Sequence, residues 1–278
     1  MADISVKTIE DLSLNAWPSY QLQLYDGWIL RYSSFYTHRT NCVEQIGEST
    51  LPLPEKVAYC EGIYKRWQTP SIFKISPLTD PALEPLLVER GYHVEHKVTN
   101  MVMDFAEVPP VEPDLSGFEA TAAQPDASSD SSDTAQPALK FRLGHRVTNN
   151  WLTGLFALKG TTNKVHLRIV PSMYAAIPKD EIVVTVLDGE GCIAATGLGI
   201  LDRDFIGVYA IHVRDDLRRR GIARAVVQTI LWEGQKAGAR YSYLQVVSDN
   251  TAARGLYTSL GFTPLYDAWF RVKDEKTT

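Results

Sequence analysis

The spacing of apolar and polar positions changes from a strand period to a helix period around one arginine-rich turn. Residues 207–213, GVYAIHV, are β-branched and aromatic, which is typical of a half-buried strand. From residue 223 onward, apolar residues recur every three or four positions, as on one face of a helix. These residues are Ala223, Val226, Val227, Ile230, Leu231 and Gly234. The pattern predicts a strand, a turn and a helix, with Gly221 at the junction.

A second strand and helix follow directly. Residues 241–247, YSYLQVV, predict a strand, and Asn250 is a favourable N-cap for the helix after it. Leu256 and Tyr257 lie on one face of that helix, and Gly261 ends it. The two segments therefore alternate strands with helices, as the units of an α/β sheet do.

The preceding residues extend this sheet. Strand patterns cover residues 139–143, 181–187 and 192–201, and helical patterns cover residues 145–159 and 162–176. The sequence Asp-Gly-Glu-Gly at 188–191 is a hairpin signal between the last two strands. The C-terminal half is therefore predicted to be an α/β domain with a mixed sheet (α+β mixed sheet).

The N-terminal half has a similar order of elements. Helices are predicted at 7–16, 53–67 and 81–90, and strands at 27–33, 36–44, 71–76 and 92–105. Aligning Gly91-Tyr92 with Gly261-Phe262 places the strand at 71–76 close to the strand at 241–247. We therefore expect two related halves.

The arginine-rich turn is a candidate phosphate site. Residues 218–223, Arg-Arg-Arg-Gly-Ile-Ala, fit the pattern [RQ]-x-x-G-x-[GA]. A helix N-terminus has unpaired N–H groups and partial positive charge, so it attracts phosphate when the backbone can come close. Gly221 and Ala223 are small enough for this approach, and the arginines, including Arg224, add charge. Alone, an arginine run is more typical of a solvated surface.

The second segment strengthens the phosphate interpretation. Residues 248–262 contain the pattern N-x-x-A-x-x-L-Y-x-x-x-G-F, which begins at Asn250, and together with the turn they resemble the GNAT superfamily of acetyl-CoA-dependent N-acetyltransferases. The resemblance, specific over residues 181–266, implies that strand 211–213 contacts pantetheine and that residues 219–224 hold the diphosphate. Asn250 would fix either the pantetheine or the helix it begins. The implied cofactor-binding residues are Ile211, His212, Val213, Arg218, Arg219, Arg220, Gly221, Ile222, Ala223, Arg224 and Asn250.

The same resemblance makes Tyr257 the catalytic general acid that protonates the departing thiolate. A tyrosine on the apolar face of a helix is otherwise commonly a core residue. No general base is indicated, because Gly207 stands where some GNAT enzymes have a glutamate. Residues near it in sequence are Asp204, Tyr209, His212, Ser248 and Asp249, and deprotonation of the amine through ordered water is the expected route.

The N-terminal half is expected to be a degenerate GNAT-like domain. Residues 45–56 contain no [RQ]-x-x-G-x-[GA] turn, and Leu87 stands where Tyr257 stands in the repeat. This half would therefore bind acetyl-CoA poorly and would instead wall the substrate cleft. Its polar residues either line that cleft or lie on a solvated hairpin: Asp26, Arg31, Thr37, Arg39 and Asn41. Three aromatic residues either form a wall of the acceptor pocket or pack in the core: Tyr174, Tyr266 and Trp269.

Charge and composition divide the chain into three parts. Its 278 residues are 45% hydrophobic, enough for one large or two modest cores. The net charge of −5 comes largely from residues 109–139, which contain six acidic residues and no Lys or Arg and predict an acidic linker or long loop. We expect a degenerate domain at 1–108 and a catalytic domain at 140–278.

Partners and location follow from what the sequence lacks. No apolar run approaches a membrane span, and the first thirty residues lack a secretory pattern, so we expect a cytoplasmic protein without membrane or nucleic-acid partners. Three widely spaced cysteines, Cys42, Cys60 and Cys192, predict buried free thiols, and we expect no metal. The oligomeric state is not predicted.

The predicted activity is direct transfer of an acetyl group from acetyl-CoA to a primary amine of a small molecule, in one ternary complex. A non-catalytic acyl-CoA sensor or scaffold is the alternative from another class, since no base is visible. A protein or peptide N-acetyltransferase is a third possibility.

Overall fold

The computed structural model describes residues 4–116, 118–120 and 139–273. Seven α-helices occur in this part of the chain: α1 (Val6–Ala16), α2 (Leu53–Arg66), α3 (Leu83–Glu89), α4 (Asn149–Lys159), α5 (Lys164–Ala175), α6 (Ile222–Lys236) and α7 (Thr251–Ser259). Its strands are β1 (Gln21–Tyr25), β2 (Trp28–Tyr32), β3 (Val43–Gln45), β4 (Ser71–Ile75), β5 (His93–Asp104), β6 (Glu119–Ala120), β7 (Lys140–Gly144), β8 (Asp180–Leu187), β9 (Ile193–Asp202), β10 (Phe205–Val213), β11 (Tyr241–Val247) and β12 (Thr263–Lys273). The mixed α/β fold predicted from the sequence is confirmed.

The chain packs into two compact units. Unit 1 contains Met1–Val102, Asn163–Pro178 and Leu244–Thr278, and unit 2 contains Met103–Thr162 and Lys179–Tyr243. This grouping differs from the predicted domains at 1–108 and 140–278, because α5, α7 and β12 pack with the N-terminal residues. The predicted boundaries follow the order of motifs along the chain, whereas the units follow packing.

Unit 1 contains strands in the order β1-β2-β3-β4-β12-β5. All neighbouring pairs described by register are antiparallel except β3 with β4, which is parallel. One face of this sheet carries an apolar core that includes Trp28, Tyr64 and Phe73, each at most 1% exposed. Helix α2 contributes Val57, Cys60 and Tyr64 to the same core, which explains the apolar spacing of its sequence.

The repeat predicted from the sequence makes β5 and β12 equivalent strands. In unit 1, each lies beside a strand of the other half of the chain. β12 pairs with β4, with Phe270 opposite Lys74. β5 is the neighbour of β11 in the sheet. The N–H of Ser248, at the end of β11, donates to the carbonyl of Lys97 on β5 at 2.9 Å. The last strands of the two halves are therefore exchanged.

Unit 2 contains strands in the order β10-β9-β8-β7-β6. Its pairs are antiparallel except β6 with β7, where Glu119 is the partner of Lys140. Helix α6 lies directly on this sheet, because a Cβ added at Gly197 would be 2.3 Å from Val226 and one at Gly199 would be 2.7 Å from Ile230. These glycines allow the close approach that places the start of α6 beyond the end of β10.

Two expectations from the sequence are corrected, and one strand was missed. The strand predicted at 36–44 is wrong, since a 3-10 helix, His38–Thr40, precedes the short β3. Cys42 and Cys60 are buried as expected, but Cys192 is exposed because it lies beside the β8–β9 turn. Strand β1 was not predicted.

Most of the predicted acidic linker, residues 121–138, lies outside the described residues, as does residue 117. Residues 119–120 of the same segment form β6. No described helix is long and apolar enough to cross a membrane.

Candidate active site

The arginine-rich turn in unit 2 has the backbone geometry of an anion site. A 3-10 helix, Asp215–Leu217, follows β10 and is followed by Arg218 in an extended conformation. Arg219 and Gly221 then adopt left-handed backbone conformations, with φ of +60° and +76°, before α6 begins at Ile222. Left-handed residues beside right-handed ones turn successive N–H groups toward one concavity, which binds anions. The conformation of Gly221 explains why glycine is required there.

The N-terminus of α6 is available to a ligand. Its cap, Gly221, has no side chain to accept from the first N–H groups, and the first turn contains no acidic residue. In contrast, Thr148 caps α4 by accepting from the Trp151 N–H at 3.2 Å. No heavy atom lies within 4 Å of a Cβ added at Gly221, so the space beside the turn is open. The sequence argument from small size is thus refined: the requirement is conformational.

Arginine side chains around the turn fall into two groups: some pair with aspartates, and others are exposed. Arg214 donates to Asp188 at 2.6 Å and to Asp216 at 2.8 Å, which braces the end of β10 against the β8–β9 hairpin. These bonds raise the pKa of Arg214 and, through Arg214, lower that of Asp188. Arg218 pairs with Asp215 at 2.5 Å. Three further arginines are exposed around the start of α6: Arg219, Arg220 and Arg224. Arg214 was not among the site residues predicted from the sequence, although it directly follows the predicted strand that ends at Val213.

Strand β10 contains a bulge just before the predicted pantetheine contacts. Ala210 has a φ of +50°, and the register with β9 shifts between Tyr209 and His212. Beyond the bulge, the N–H of Arg214 donates to the Ala194 carbonyl of β9 at 2.9 Å. Because backbone groups alternate between the two edges of a strand, those of Ile211 and Val213 point to the edge away from β9. This direction is the one that the pantetheine prediction requires, and bulges commonly lie beside active sites.

His212 lies on the same strand, with Thr196 of β9 as its register partner. Burial, together with the smaller effect of the positive charges of Lys159 and Arg218, lowers the pKa of His212 to about 4. The imidazole is therefore neutral near pH 7 but a weak proton acceptor. Its backbone groups face β9. The backbone pairing with pantetheine that is expected for Ile211 and Val213 is therefore not expected for His212.

The position of Gly207 is filled by two tyrosines. A Cβ at Gly207 would be 2.6 Å from the ring of Tyr209 and 2.6 Å from that of Tyr243. The two tyrosine hydroxyls lie 2.9 Å apart. A glutamate at this position would not fit unless these rings moved. The packing of the two tyrosines therefore explains why no carboxylate is found here.

Tyr257 and Asn250 lie together on α7, in unit 1. The Asn250 side chain accepts from the Ala253 N–H at 3.0 Å, so it caps the helix, which was one of its two predicted roles. The Tyr257 side chain is largely buried and its ring meets that of Phe262 edge to face, with centroids 6.0 Å apart. Burial raises the pKa of Tyr257 to about 12, so the hydroxyl keeps its proton at neutral pH.

The polar candidates of the N-terminal half are mostly engaged in local structure. Asp26 accepts from the N–H groups of Thr50 and Leu51, at 3.0 and 2.9 Å. Arg31 pairs with Glu44 at 3.2 Å, and Asn41 accepts from the N–H of Ser33 at 2.8 Å and donates to the carbonyl of Thr37 at 2.7 Å. Arg39 donates to Gln245 of β11 at 2.9 Å. Arg31 and Asn41 are buried, so they do not lie on a solvated hairpin face, whereas Asp26 lies in the turn of the β1–β2 hairpin.

The three aromatic candidates, all in unit 1, also have structural contacts. The Tyr174 ring meets Trp17 with centroids 4.8 Å apart. The Tyr266 hydroxyl lies 2.8 Å from a carboxylate oxygen of Glu10, and the Trp269 indole donates to Glu84 at 2.9 Å. Each contact is accounted for by packing within the unit.

Comparison with known proteins agrees with these features. The family model described as "Probable histone acetyltransferase Rv0428c C-terminal" matches residues 3–268. "Uncharacterized N-acetyltransferase YobR" of Bacillus subtilis is 23% identical over 268 residues, covering 96% of this chain and 98% of that protein. The "[Ribosomal protein bS18]-alanine N-acetyltransferase" of Escherichia coli is 34% identical over 76 residues, covering 27% of this chain and 51% of that protein.

Solved structures share the fold. A GCN5-related N-acetyltransferase from Kribbella flavida has a TM-score of 0.64 at 13% identity, covering 99% of this chain and 98% of its own. A tandem GNAT protein from the clavulanic acid biosynthesis pathway has a TM-score of 0.57 at 12% identity, covering 80% of this chain and 69% of its own. With the family match over nearly the whole length, the chain belongs to the Rv0428c C-terminal acetyltransferase family and is a GNAT-type N-acetyltransferase.

Proposed function

We propose that this enzyme transfers an acetyl group from acetyl-CoA directly to a primary amine of a small molecule, with both substrates bound at once. The observation that carries the proposal is the turn before α6, where Arg219 and Gly221 are left-handed and the helix lacks a side-chain cap. Such a turn presents N–H groups to a phosphate without local competition. Acetyl-CoA is the acyl donor that the GNAT fold implies.

The residues present fit the cofactor. Backbone N–H groups between Arg219 and Arg224 would hold the diphosphate, and the exposed arginine side chains would add charge-assisted bonds. The outward groups of Ile211 and Val213 would pair with pantetheine as an added strand does. Asn250 would hold the N-terminus of α7 in place, as its bond to Ala253 supports.

The chemistry needs a proton for the departing sulfur. Bound acetyl-CoA supplies the acetyl thioester, and the Tyr257 hydroxyl would donate its proton to the thiolate as the C–S bond breaks. A pKa of about 12 keeps this hydroxyl protonated at any physiological pH. A positioned general acid of this kind typically contributes about 10²-fold to 10⁴-fold to the rate.

The amine must lose its proton without a dedicated carboxylate. The space beside Gly207 holds Tyr209 and Tyr243, and His212 is a weak acceptor with its pKa lowered to about 4. Loss of the proton through ordered water therefore stays the proposed route. This route predicts that the rate follows the fraction of neutral amine in solution.

We further propose that the N-terminal half does not bind acetyl-CoA. Its helix α2 begins after Pro52 and has a second proline, Pro54, in its first turn. Proline has no N–H group, so two of the donors that a helix N-terminus would offer are missing from the start of α2. Leu87, at the position equivalent to Tyr257, cannot donate a proton.

A protein amine is the second candidate acceptor. It is favoured by the description of the matching family as a probable histone acetyltransferase and by the name of one relative, an acetyltransferase of a ribosomal-protein alanine. A non-catalytic sensor is the remaining alternative, since no residue is identified as a base.

A thiol-release assay separates these possibilities. The purified chain is incubated with acetyl-CoA and a panel of amino acids, polyamines, aminoglycosides and peptides, and free CoA is measured over time. Small-molecule acetyltransfer predicts saturable CoA release with a member of the first three groups and loss of release in Tyr257→Phe. Turnover with peptides alone would move the assignment to protein amines. Saturable binding of acetyl-CoA without turnover on any amine would contradict the enzymatic proposal.

A further inference from the structure

Three histidines and a glutamate lie together in unit 1. His38 comes from the 3-10 helix after β2, while His93, Glu95 and His96 come from the start of β5. The Nε2 atom of His38 is 3.0 Å from one oxygen of Glu95, and Nε2 of His96 is 3.8 Å from the same oxygen. The other Glu95 oxygen is 2.8 Å from Nε2 of His93.

The first three residues have the ligand set of a metal centre. One ligand atom from each of His38, Glu95 and His96 lies within 4.8 Å of the other two. Bonds of about 2.0–2.1 Å to tetrahedral zinc place ligand atoms about 3.3–3.4 Å apart. The separations from the Glu95 oxygen, 3.0 and 3.8 Å, lie on either side of that value. Ligand nitrogens of the two imidazoles lie within 4.8 Å of each other, so rotation of the exposed His96 ring would close the remaining distance.

The backbone of β5 is distorted in a way that brings two of the ligands together. Consecutive residues of a regular strand point to opposite faces, which would separate Glu95 from His96. Here the register with β12 shifts, because Phe270 is opposite Glu95 and Ala268 is opposite Val98. His96 lies in this bulge with a φ of +46°. A bulge can re-aim a side chain, and a left-handed conformation of a residue other than glycine is commonly kept at functional positions.

Within this cluster, the His38 side chain is packed against other rings, whereas the His96 side chain is exposed. The His38 ring packs against the rings of Phe35 and Phe270, each with centroids 5.4 Å away, and is 16% exposed. The His96 ring meets His38 edge on at 4.4 Å, and its side chain is 55% exposed. A cation can therefore enter from the His96 side, and a water molecule can complete the coordination. His93 holds the second oxygen of Glu95, as outer-shell groups do around metal-binding carboxylates.

We propose that this cluster is a binding site for one divalent first-row transition metal, with Nε2 of His38, a carboxylate oxygen of Glu95 and Nε2 of His96 as its protein ligands. Two imidazoles and a carboxylate suit Zn²⁺ or Fe²⁺ and leave a position for water. Metal binding needs a neutral imidazole and an ionised carboxylate, so it would take the place of the hydrogen bond between His38 and Glu95. It would also join the 3-10 helix to β5, so it would stabilise unit 1 independently of acetyltransfer. This proposal departs from the expectation, drawn from the sequence, that the protein has no metal.

Zinc titration of the full-length chain tests the site. Untagged protein is treated with chelator and dialysed, then titrated with ZnCl₂ by calorimetry at pH 7.5, with thermal unfolding measured alongside. We expect one site per chain and a higher melting temperature with zinc, because a ligand that binds only the folded state stabilises it. His96→Ala is expected to weaken binding by more than about 100-fold, and His93→Ala by about 10–100-fold as an outer-shell change.

His145→Ala provides the matched control, since it removes an exposed histidine outside the cluster and should leave zinc affinity unchanged. The melting temperature of each variant in chelator shows whether it folds, and His96→Gln provides a second test if His96→Ala does not. The proposal is overturned if zinc does not bind saturably, if binding survives both His96 variants, or if His145→Ala weakens it as much as they do.

Discussion

Replacing Gly221 with alanine tests whether the conformation of the turn is what acetyl-CoA binding requires. The residue has a φ of +76°, and an added Cβ would meet no heavy atom within 4 Å. The substitution therefore introduces no clash within the protein and acts through backbone strain. A left-handed conformation costs an L-residue about 1–2 kcal/mol. Because nothing packs against this position, we expect the free turn to relax and lose its anion-binding geometry.

The expected loss of affinity follows from that strain. Restoring the left-handed turn on binding would cost about 1–2 kcal/mol, which corresponds to about 5–30-fold weaker binding of CoA. Gly221→Asn should lose less, since asparagine tolerates this conformation better. The change should appear in the Kd for CoA measured by calorimetry.

Gly160→Ala is a matched control within unit 2. Gly160 has a φ of +63°, and an added Cβ there also meets no atom within 4 Å, but it ends α4 and is not part of the turn. Its substitution should lower the free energy of unfolding without changing the Kd for CoA. The reasoning is refuted if Gly221→Ala binds CoA as the parent does, or if Gly160→Ala loses as much affinity.

The remaining predictions concern three single residues. Tyr257→Phe should lower kcat by about 10²-fold to 10⁴-fold while leaving the Kd for CoA unchanged; equal kcat would exclude the general-acid role. Since Tyr257 donates only when protonated and its pKa is raised to about 12, kcat in the parent should show no alkaline loss from this group until pH approaches 12. Asn250→Ala should cost about 1 kcal/mol in urea unfolding through the lost cap, and Asn250→Ser much less; equal losses would argue against capping. His212→Gln should leave the pH profile of kcat unchanged between about pH 6 and 9, and the disappearance of a limb there would identify His212 as the base.

The elements around the candidate site could be predicted because their signals are local. The strand at 241–247 has the predicted bounds, and α6 begins one residue before Ala223, where the helical period starts. Gly221, which the sequence places at the junction of strand and helix, is the left-handed residue directly before α6. The order of elements and the GNAT resemblance are carried by such short segments.

Other features depend on contacts that the sequence pattern does not encode. The 36–44 strand fails because Asn41 binds the backbone of Ser33 and Thr37, which favours a local turn over a ladder. Strand β1 has exposed apolar residues and no buried face to mark it, although the Asp26-Gly27 hairpin signal was present.

The exchange of β5 and β12, the bulge at Ala210 and the convergence of His38 with His96 arise from pairing between distant segments. None of these can be inferred from residues that are adjacent in sequence. The capping role of Asn250, in contrast, was one of two predicted roles, and the structure supports it through the bond from Ala253.

Hydrogen–deuterium exchange tests the central role of the turn most directly. Amide exchange is measured by mass spectrometry, with fragmentation to single residues, on the full chain with and without saturating CoA. If the backbone of this turn holds the diphosphate, CoA slows exchange of the amides between Arg219 and Arg224 and leaves those around Gly160 unchanged. If CoA binds saturably while exchange at these amides stays the same, the diphosphate is held elsewhere and the account of this site is wrong.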